Sequence, residues 1–244
     1  MVTRPAETID GEVAGLASSR EIWVVIPAYN EDQAIDSVLS ELTRYPYEVV
    51  LVNDGSTDQT ARVAQNHPVI VLSHIINLGQ GAAIQTGIQY ALRFPSTRFI
   101  VTFDADGQHD PADIERLLAA CEQQDVQVAL GSRFIPGGQT VNLGFLKRMV
   151  LKLAVGYTRL TCGLPLTDTH NGLRAFRADA AKLIKIRQNG MAHASEIISQ
   201  IAALKLSYCE VPVKVIYTPY SIRKGQSISN GLNILWDLLS GRLR

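Results

Sequence analysis

Phe99-Ile100-Val101-Thr102-Phe103-Asp104-Ala105-Asp106-Gly107-Gln108-His109 is the stretch on which the fold turns. Five strand-favouring residues run without a charge and then break into two carboxylates two positions apart. A run of this kind marks a strand covered on both faces, as in a parallel sheet. Pro111 then starts a helix that reaches about Gln123; at a first turn its missing N–H is harmless. The same pattern precedes it. Ile22 to Pro27 reads as a strand stopped by the proline, and Ile35, Val38, Leu39 and Leu42 follow at helical spacing. Tyr47 to Val52 is a strand before a helix over Thr57 to Asn66, and Val69 to Leu72 a strand before a helix over Gly81 to Arg93. Val126 to Leu130 is a fifth strand. Strand and helix alternate four times, which predicts a mainly parallel, doubly wound, Rossmann-like α/β sheet.

The second half is less regular. Leu146 to Thr161 has helical apolar spacing and carries Lys147, Arg148, Lys152 and Arg159. Asp168 to Phe176 begins polar and ends strand-like. Ala192 to Leu204 reads as a helix, Tyr208 to Tyr217 as one strand, and residues 218–227 as a polar, basic loop. Ile228, Leu232, Leu235, Trp236 and Leu239 give the last segment an amphipathic spacing. The expected organisation is a tail over 1–20, one α/β domain over 21–227 and an amphipathic helix over 228–244. That helix either packs on protein or lies among lipid headgroups.

Of the 244 residues 46% are hydrophobic and 19% charged, enough to bury a sizeable core. Lys plus Arg and Asp plus Glu each number 23, and a net charge of zero speaks against a general nucleic-acid binder. Cys121, Cys162 and Cys209 lack metal spacing and read as free thiols of a reducing compartment. No apolar run approaches the roughly 20 residues of a membrane span, and no signal-peptide stretch follows Met1. The expectation is a cytoplasmic protein. Peripheral contact with the cytoplasmic face of a membrane, a separate membrane partner and homo-oligomerisation all stay open.

Ligands of open parallel sheets bind beyond the carboxyl ends of the strands. Four polar clusters fall there: Pro27 to Glu31, Asn53 to Ser56, Asn77 to Gly79 and Asp104 to His109. Asp104 and Asp106 offer hard oxygen ligands for Mg²⁺ or Mn²⁺, which would in turn hold a diphosphate. Gln108 and His109 can add ligands; the plainer alternative is a capped turn before the Pro111 helix. Asp54 can accept hydrogen bonds from a base or ribose, while Ser56 or Thr57 caps the helix that follows. Neither G-x-G-x-x-G after the first strand nor G-x-x-x-x-G-K-[ST] occurs, which speaks against dinucleotide dehydrogenases and P-loop NTPases. Gly131-Ser132-Arg133 is not a nucleophile elbow. Arg133, Lys147, Arg148, Arg174, Arg223 and Lys224 can clamp phosphates as a set, although each alone reads as a solvated surface charge. Glu196 is either a helix-start acid or a carboxylate of an acceptor site.

Five motifs in order and spacing resemble the family 2 inverting glycosyltransferases with a GT-A fold. They are Val25-Ile26-Pro27-Ala28-Tyr29-Asn30-Glu31, Val52-Asn53-Asp54-Gly55-Ser56-Thr57-Asp58, Asn77-Leu78-Gly79, Asp104-Ala105-Asp106-Gly107-Gln108 and Gly131-Ser132-Arg133-Phe134. From about residue 21 to 227 the chain is similar to the dolichol-phosphate mannose synthase, or polyprenyl-phosphate glycosyltransferase, type. Asp168-Thr169-His170-Asn171-Gly172-Leu173-Arg174-Ala175-Phe176 resembles a further segment of that subgroup. The resemblance implies roles. Pro27, Tyr29, Glu31, Asp54, Asp104, Ala105 and Asp106 would line the nucleotide-sugar site. Asp104, Asp106 and Gln108 would hold Mg²⁺ or Mn²⁺. Arg133 would meet the acceptor phosphate, helped by Arg148, Arg174, Arg223 and Lys224. Arg223-Lys224-Gly225-Gln226-Ser227 departs from the subgroup's loop, with Gln226 in place of an acid and no Lys after Ser227. Unlike in some relatives of the subgroup, no transmembrane helices are expected after this domain.

The implied reaction transfers a hexose, with inversion, from a GDP-mannose or UDP-glucose type of donor to a polyprenyl or dolichyl phosphate. A lipid phosphate is already ionised and needs no strong base, so Asp104, Asp106 and Arg133 would be the catalytic set. A saccharide acceptor would need a carboxylate base, for which Glu196 is the candidate. A nucleotidyltransferase would carry a Gly-rich basic loop after the first strand, where Pro27 to Glu31 has none. A non-catalytic nucleotide-sugar sensor has no need of the intact Asp104, Asp106 and Arg133.

Overall fold

The computed structural model describes residues 21–225. The expected tail over 1–20 and the helix over 228–244 lie outside the described residues. The strands are β1 (Ile22–Ala28), β2 (Glu48–Asn53), β3 (Ile70–Ser73), β4 (Phe99–Thr102), β5 (Val128–Ser132), β6 (Gln139–Val141), β7 (Arg174–Arg177), β8 (Tyr208–Pro212) and β9 (Lys214–Ile216). The helices are α1 (Ile35–Leu42), α2 (Thr60–Ala64), α3 (Gln80–Ala91), α4 (Ala112–Gln123), α5 (Phe145–Cys162), α6 (Ala178–Leu183), α7 (His193–Ala203) and α8 (Pro219–Gly225).

Seven strands form one sheet in the order β3-β2-β1-β4-β7-β5-β8, and β6 pairs with β9 beside it. Only β7 runs against the others in the large sheet, antiparallel to both β4 and β5. Alternate residues of each strand feed two cores. Val24, Ile26, Val49, Leu51 and Val101 meet Ile35, Leu39, Ile114 and Leu117 of α1 and α4. Trp23, Val25, Val50, Val52 and Ile100 meet Ile84, Ile88, Ile197 and Ile201 of α3 and α7 on the other face. Burying each such side chain contributes roughly 1.5–3 kcal/mol, which is why these strands carry continuous apolar runs. A Cβ built on Gly87 would overlap Val25, so α3 lies unusually close to β1.

After β3 the chain crosses back over β2 and β1 to lay β4 against the far side of β1. The sheet therefore reverses its winding between β1 and β4, where a crevice opens at the carboxyl ends of the strands. Asp104 and Asp106 follow β4 at that point.

Three expectations are corrected. Pro27 does not stop β1, which continues to Ala28 with Pro27 in register with Val52. The Val25 carbonyl accepts from Phe103 N, so odd positions of β1 bond toward β4; that ladder ends at Val25–Thr102, and Pro27 needs no donor beyond it. Tyr208 to Tyr217 is two strands in two sheets, broken after Pro212. The supposed loop after residue 217 holds α8, whose start is capped by Thr218 Oγ1 accepting from Ser221 N at 3.0 Å, with Pro219 in the first turn. Asp54 and Asp104 follow strands that are separated by β1.

Candidate active site

Asp104 is pinned from three sides. Its Oδ1 accepts from Gln80 Nε2 at 3.1 Å, and its Oδ2 lies 3.2 Å from His109 Nε2. A Cβ built on Gly172 would overlap the same carboxylate, so the turn before β7 closes over it. Burial opposes ionisation of Asp104. The His109 hydrogen bond and the nearby His109, His193 and Arg174 outweigh it and hold the carboxyl below its usual range. Asp106 has the opposite balance: burial and then the Asp104 charge push it up to about 6. Its Oδ1 accepts from Gln108 N at 3.1 Å and its Oδ2 from Gln108 Nε2 at 2.6 Å. Ala105 between them is buried in the core, so only its backbone can face a ligand.

Asp54 stands at the end of β2 and is 2% exposed. Its carboxylate accepts from Leu78 N at 2.9 Å and Gly79 N at 2.7 Å, and lies 2.7 Å from His74 Nδ1. It therefore holds the loop that delivers Gln80 to Asp104. Gly79 has φ +105°, and a Cβ there would overlap the Asn189 carbonyl.

The loop after β1 is tied to the loop after β2. Ser56 Oγ accepts from Asn30 N at 3.0 Å and Thr60 Oγ1 from Glu31 N at 2.7 Å. Pro27 is buried, whereas Tyr29 is 42% exposed. Helix α8 lies over this loop. Lys224 Nζ is 2.5 Å from Glu31 Oε1 and donates to the Tyr29 and Asn30 carbonyls at 2.9 and 2.8 Å. Tyr220 donates to Glu31 Oε2 at 2.8 Å. The expected phosphate ligand Lys224 is thus brought to Glu31, while Arg223 is exposed.

Arg133, after β5, is buried. Its Nε donates to Asp168 Oδ2 at 2.5 Å, its Nη2 to Asp168 Oδ1 at 3.1 Å and its Nη1 to Tyr217 Oη at 2.5 Å. Three of the five guanidinium N–H groups are so used. Glu210 of β8 fixes the segment that carries Asp168, accepting from Thr167 N at 2.8 Å and Asp168 N at 3.1 Å. Arg174, on β7, is also buried; it donates to the Asn171 and Thr169 carbonyls at 3.0 and 3.1 Å, and burial lowers it to about 10. Burial, followed by the Arg174 charge, holds His170 at about 4. Burial likewise holds His193 at about 4, against a hydrogen bond to the Gly190 carbonyl. Arg148 is exposed on α5.

Glu196 does not point into a site: its carboxylate accepts from Arg187 N at 3.1 and 3.0 Å and from Gln188 N at 2.8 Å. It anchors the segment that closes on the start of α3. Sequence reasoning missed Gln80, His74, His193, Glu210 and Tyr217. None has a local signature, since each acts on a residue at least 20 positions away or through burial alone.

Two half-buried carboxylates at the β1–β4 switch point, with a buried arginine at the end of β5, form an arrangement suited to a diphosphate and a second anion. Residues 23–184 match the family described as Glycosyl transferase family 2. The chain belongs to that family. This glycosyltransferase is 33% identical over 239 residues to a UDP-N-acetylglucosamine–dolichyl-phosphate N-acetylglucosaminyltransferase of Methanococcus voltae, covering 89% of this chain and 94% of the other. It is 31% identical over 242 residues to an undecaprenyl-phosphate mannosyltransferase of Micrococcus luteus, covering 91% and 98%. Its fold matches glucosyl-3-phosphoglycerate synthase of Mycobacterium tuberculosis, solved with Mn²⁺, UDP and glucosyl-3-phosphoglycerate, at a TM-score of 0.68 and 19% identity, covering 99% of this chain and 86% of that one. The glycosyltransferase thus has the GT-A architecture, with β7 as the reversed strand of its sheet. No described helix is long and apolar enough to cross a membrane.

Proposed function

We propose that this glycosyltransferase moves a sugar from a nucleotide-diphospho-sugar to a polyprenyl or dolichyl phosphate. The observation that carries the acceptor class is the commitment of Glu196, on α7, to the backbone amides of Arg187 and Gln188. A saccharide hydroxyl needs a base, and the residue suited to that work is engaged elsewhere. A phosphate monoester needs positioning instead, and Arg133 retains two N–H groups beyond those held by Asp168 and Tyr217. The relatives named for polyprenyl or dolichyl acceptors support the same reading.

In this reading the donor lies across the β1–β4 crevice. Asp54 serves the nucleoside through the loop it holds, and Tyr29 with the Glu31 loop borders the base. The acceptor phosphate oxygen attacks the anomeric carbon from the face opposite the diphosphate, which leaves with the bonding electron pair, so the configuration inverts. Arg133 orients the attacking phosphate, and Asp168 and Tyr217 hold Arg133 in one rotamer. Arg174 adds buried positive charge near Asp104.

A divalent cation fits the carboxyl pair. Asp106 is pushed up by desolvation and then by the neighbouring Asp104 charge, a balance that a cation between the two would reverse, and Gln108 adds a neutral oxygen donor. No described cluster of three or more His, Cys, Asp or Glu forms a closed metal cage. Mg²⁺ and substrate-bridged Mn²⁺ characteristically use one or two carboxylates with phosphate oxygens. When bound by Asp106, Gln108 and Asp104, the ion supplies the positive charge that neutralises the leaving diphosphate.

The test is transfer of labelled sugar from GDP-mannose, UDP-glucose and UDP-N-acetylglucosamine to a short polyprenyl phosphate, with Mg²⁺ or Mn²⁺ and with EDTA. The expected result is one donor giving a lipid-extractable, metal-dependent product that Asp106→Ala abolishes. A water-soluble saccharide product with no lipid product would overturn the acceptor assignment.

A further inference from the structure

Strand β3 is an edge of the large sheet, and among the described residues it pairs only with β2. His74 N donates to the Asn53 carbonyl, so the even positions of β3 bond to β2, and the N–H and C=O groups of Val71 and Ser73 point away from the sheet. Edge strands usually carry charges that keep another strand from adding there. This one does not: the sequence holds no Lys, Arg, Asp or Glu between Arg62 and Arg93, in a chain that is 19% charged. The turn after β3 is apolar as well, with Ile75, Ile76 and Leu78 100%, 64% and 43% exposed. It is held in that shape, since Asp54 accepts from Leu78 N and Gly79 N and a Cβ on Gly55 would overlap the Ile76 and Asn77 backbone.

We propose that β3 pairs antiparallel with β3 of a second copy of this chain, giving a two-fold dimer with one sheet continuous across both protomers. Free backbone groups along an edge are satisfied by a strand; the hydrocarbon of a bilayer offers them no partner. The absence of charge selects a strand that is uncharged too, as in the core of an interface. This chain's own ends do not supply one. Residues 1–20 are broken by Arg4, Pro5, Glu7, Asp10 and Glu12, and residues 228–244 have helical spacing. A second β3 is apolar, uncharged and carries the complementary row of free groups. Two-fold pairing is also closed, so it stops at a dimer.

The outward-facing groups fix the register. To use both within the strand, the two-fold axis passes at Leu72. Val71 then exchanges two hydrogen bonds with Ser73 of the partner subunit, and the two Leu72 residues form a non-hydrogen-bonded pair with Cα atoms about 4.5 Å apart. Leu72 is half-buried on the α3 side of the sheet, and the second Leu72 would complete its burial. The turn bearing Ile75 and Ile76 comes beside the start of the partner's β3. That turn is the one Asp54 holds and that leads to Gln80, which donates to Asp104. Pairing at β3 would therefore brace the loop that steadies Asp104.

The experiment is sedimentation equilibrium of the full-length protein, without donor, acceptor or lipid, for wild type and Ile75→Lys, together with mild oxidation of Leu72→Cys and Val71→Cys. The expected result is a wild-type dimer whose dissociation constant rises at least tenfold in Ile75→Lys, with the far-ultraviolet circular dichroism unchanged. Leu72→Cys should form a disulfide-linked dimer beyond the wild-type background, reversed by dithiothreitol, because its Cα separation across the axis suits a disulfide. Val71→Cys, which faces Ser73 of the partner subunit, should not. A monomeric wild type at high micromolar concentration overturns the proposal. So does a dimer that Ile75→Lys leaves intact, or one in which Leu72→Cys cross-links no better than Val71→Cys, since another surface or register then joins the protomers.

Discussion

Arg133 and Asp168 form a buried fork: Nε meets Oδ2 at 2.5 Å and Nη2 meets Oδ1 at 3.1 Å. The pair joins the end of β5 to the segment that leads into β7, and Glu210 fixes that segment from β8. Removing one partner would leave an uncompensated charge in the interior. Asp168→Ala should cost about 3–5 kcal/mol in urea unfolding and lose transfer activity. A loss below about 1 kcal/mol would mean that Arg133 finds water or another partner and that the fork does not hold it.

Gly172 has no room for a methyl group, because Asp104 occupies that position. Thr102 Oγ1 donates to the Gly172 carbonyl at 2.6 Å and prevents the turn from backing away. Gly172→Ala should displace the Asp104 carboxylate and lower kcat roughly 100-fold, the penalty typical of a misplaced catalytic group. Near-normal turnover would show that the turn can yield.

Asp106 illustrates stability given up for chemistry. Burial, and then the Asp104 charge, raise it to about 6. A carboxyl raised in the folded state contributes most below its unfolded value of about 3.9 and loses that contribution as pH rises through about 6. At pH 7.5 and without added metal the ionised group is a burden. Asp106→Asn should therefore raise metal-free stability by on the order of 2 kcal/mol while abolishing transfer. Lower stability for the variant at pH 7.5 would sink this account.

His170 and His193 are held at about 4, with burial as the first cause at both. Each ring is lowered on folding, so its contribution is whole above about 6.5 and is lost as pH falls through about 4. The upper limit is roughly 3 kcal/mol apiece. The melting temperature should fall steadily between pH 6.5 and 4, and His193→Gln should flatten that limb. An unchanged slope in the variant would move the acid sensitivity to other groups.

The two strand-end carboxylates were legible because a buried parallel strand and its polar tip are adjacent in the chain. The same locality revealed α1, α3 and α4, but not the cap after Asp54: Ser56 Oγ accepts from Asn30 N in the neighbouring loop, and Asp58 rather than Ser56 or Thr57 accepts from Thr60 N. The paired strands β8 and β9 were not separable, since apolar alternation continues through Pro212 and nothing local says that the chain changes sheets there. Helix α8 was missed although Thr218-Pro219 carries a start signal, because its basic residues outweighed it.

By itself the sequence determined the α/β class, the family motifs and the carboxylate pair. Each depends on periodicity and spacing within a few residues. Only the tertiary structure decided what the charged groups touch. It set Lys224 on Glu31, Glu196 on backbone amides, and Arg133 between Asp168 and Tyr217. A long charged side chain takes its partner from whichever element packs beside it, and that neighbour comes from sheet order and crossover geometry rather than from the residues next in the chain.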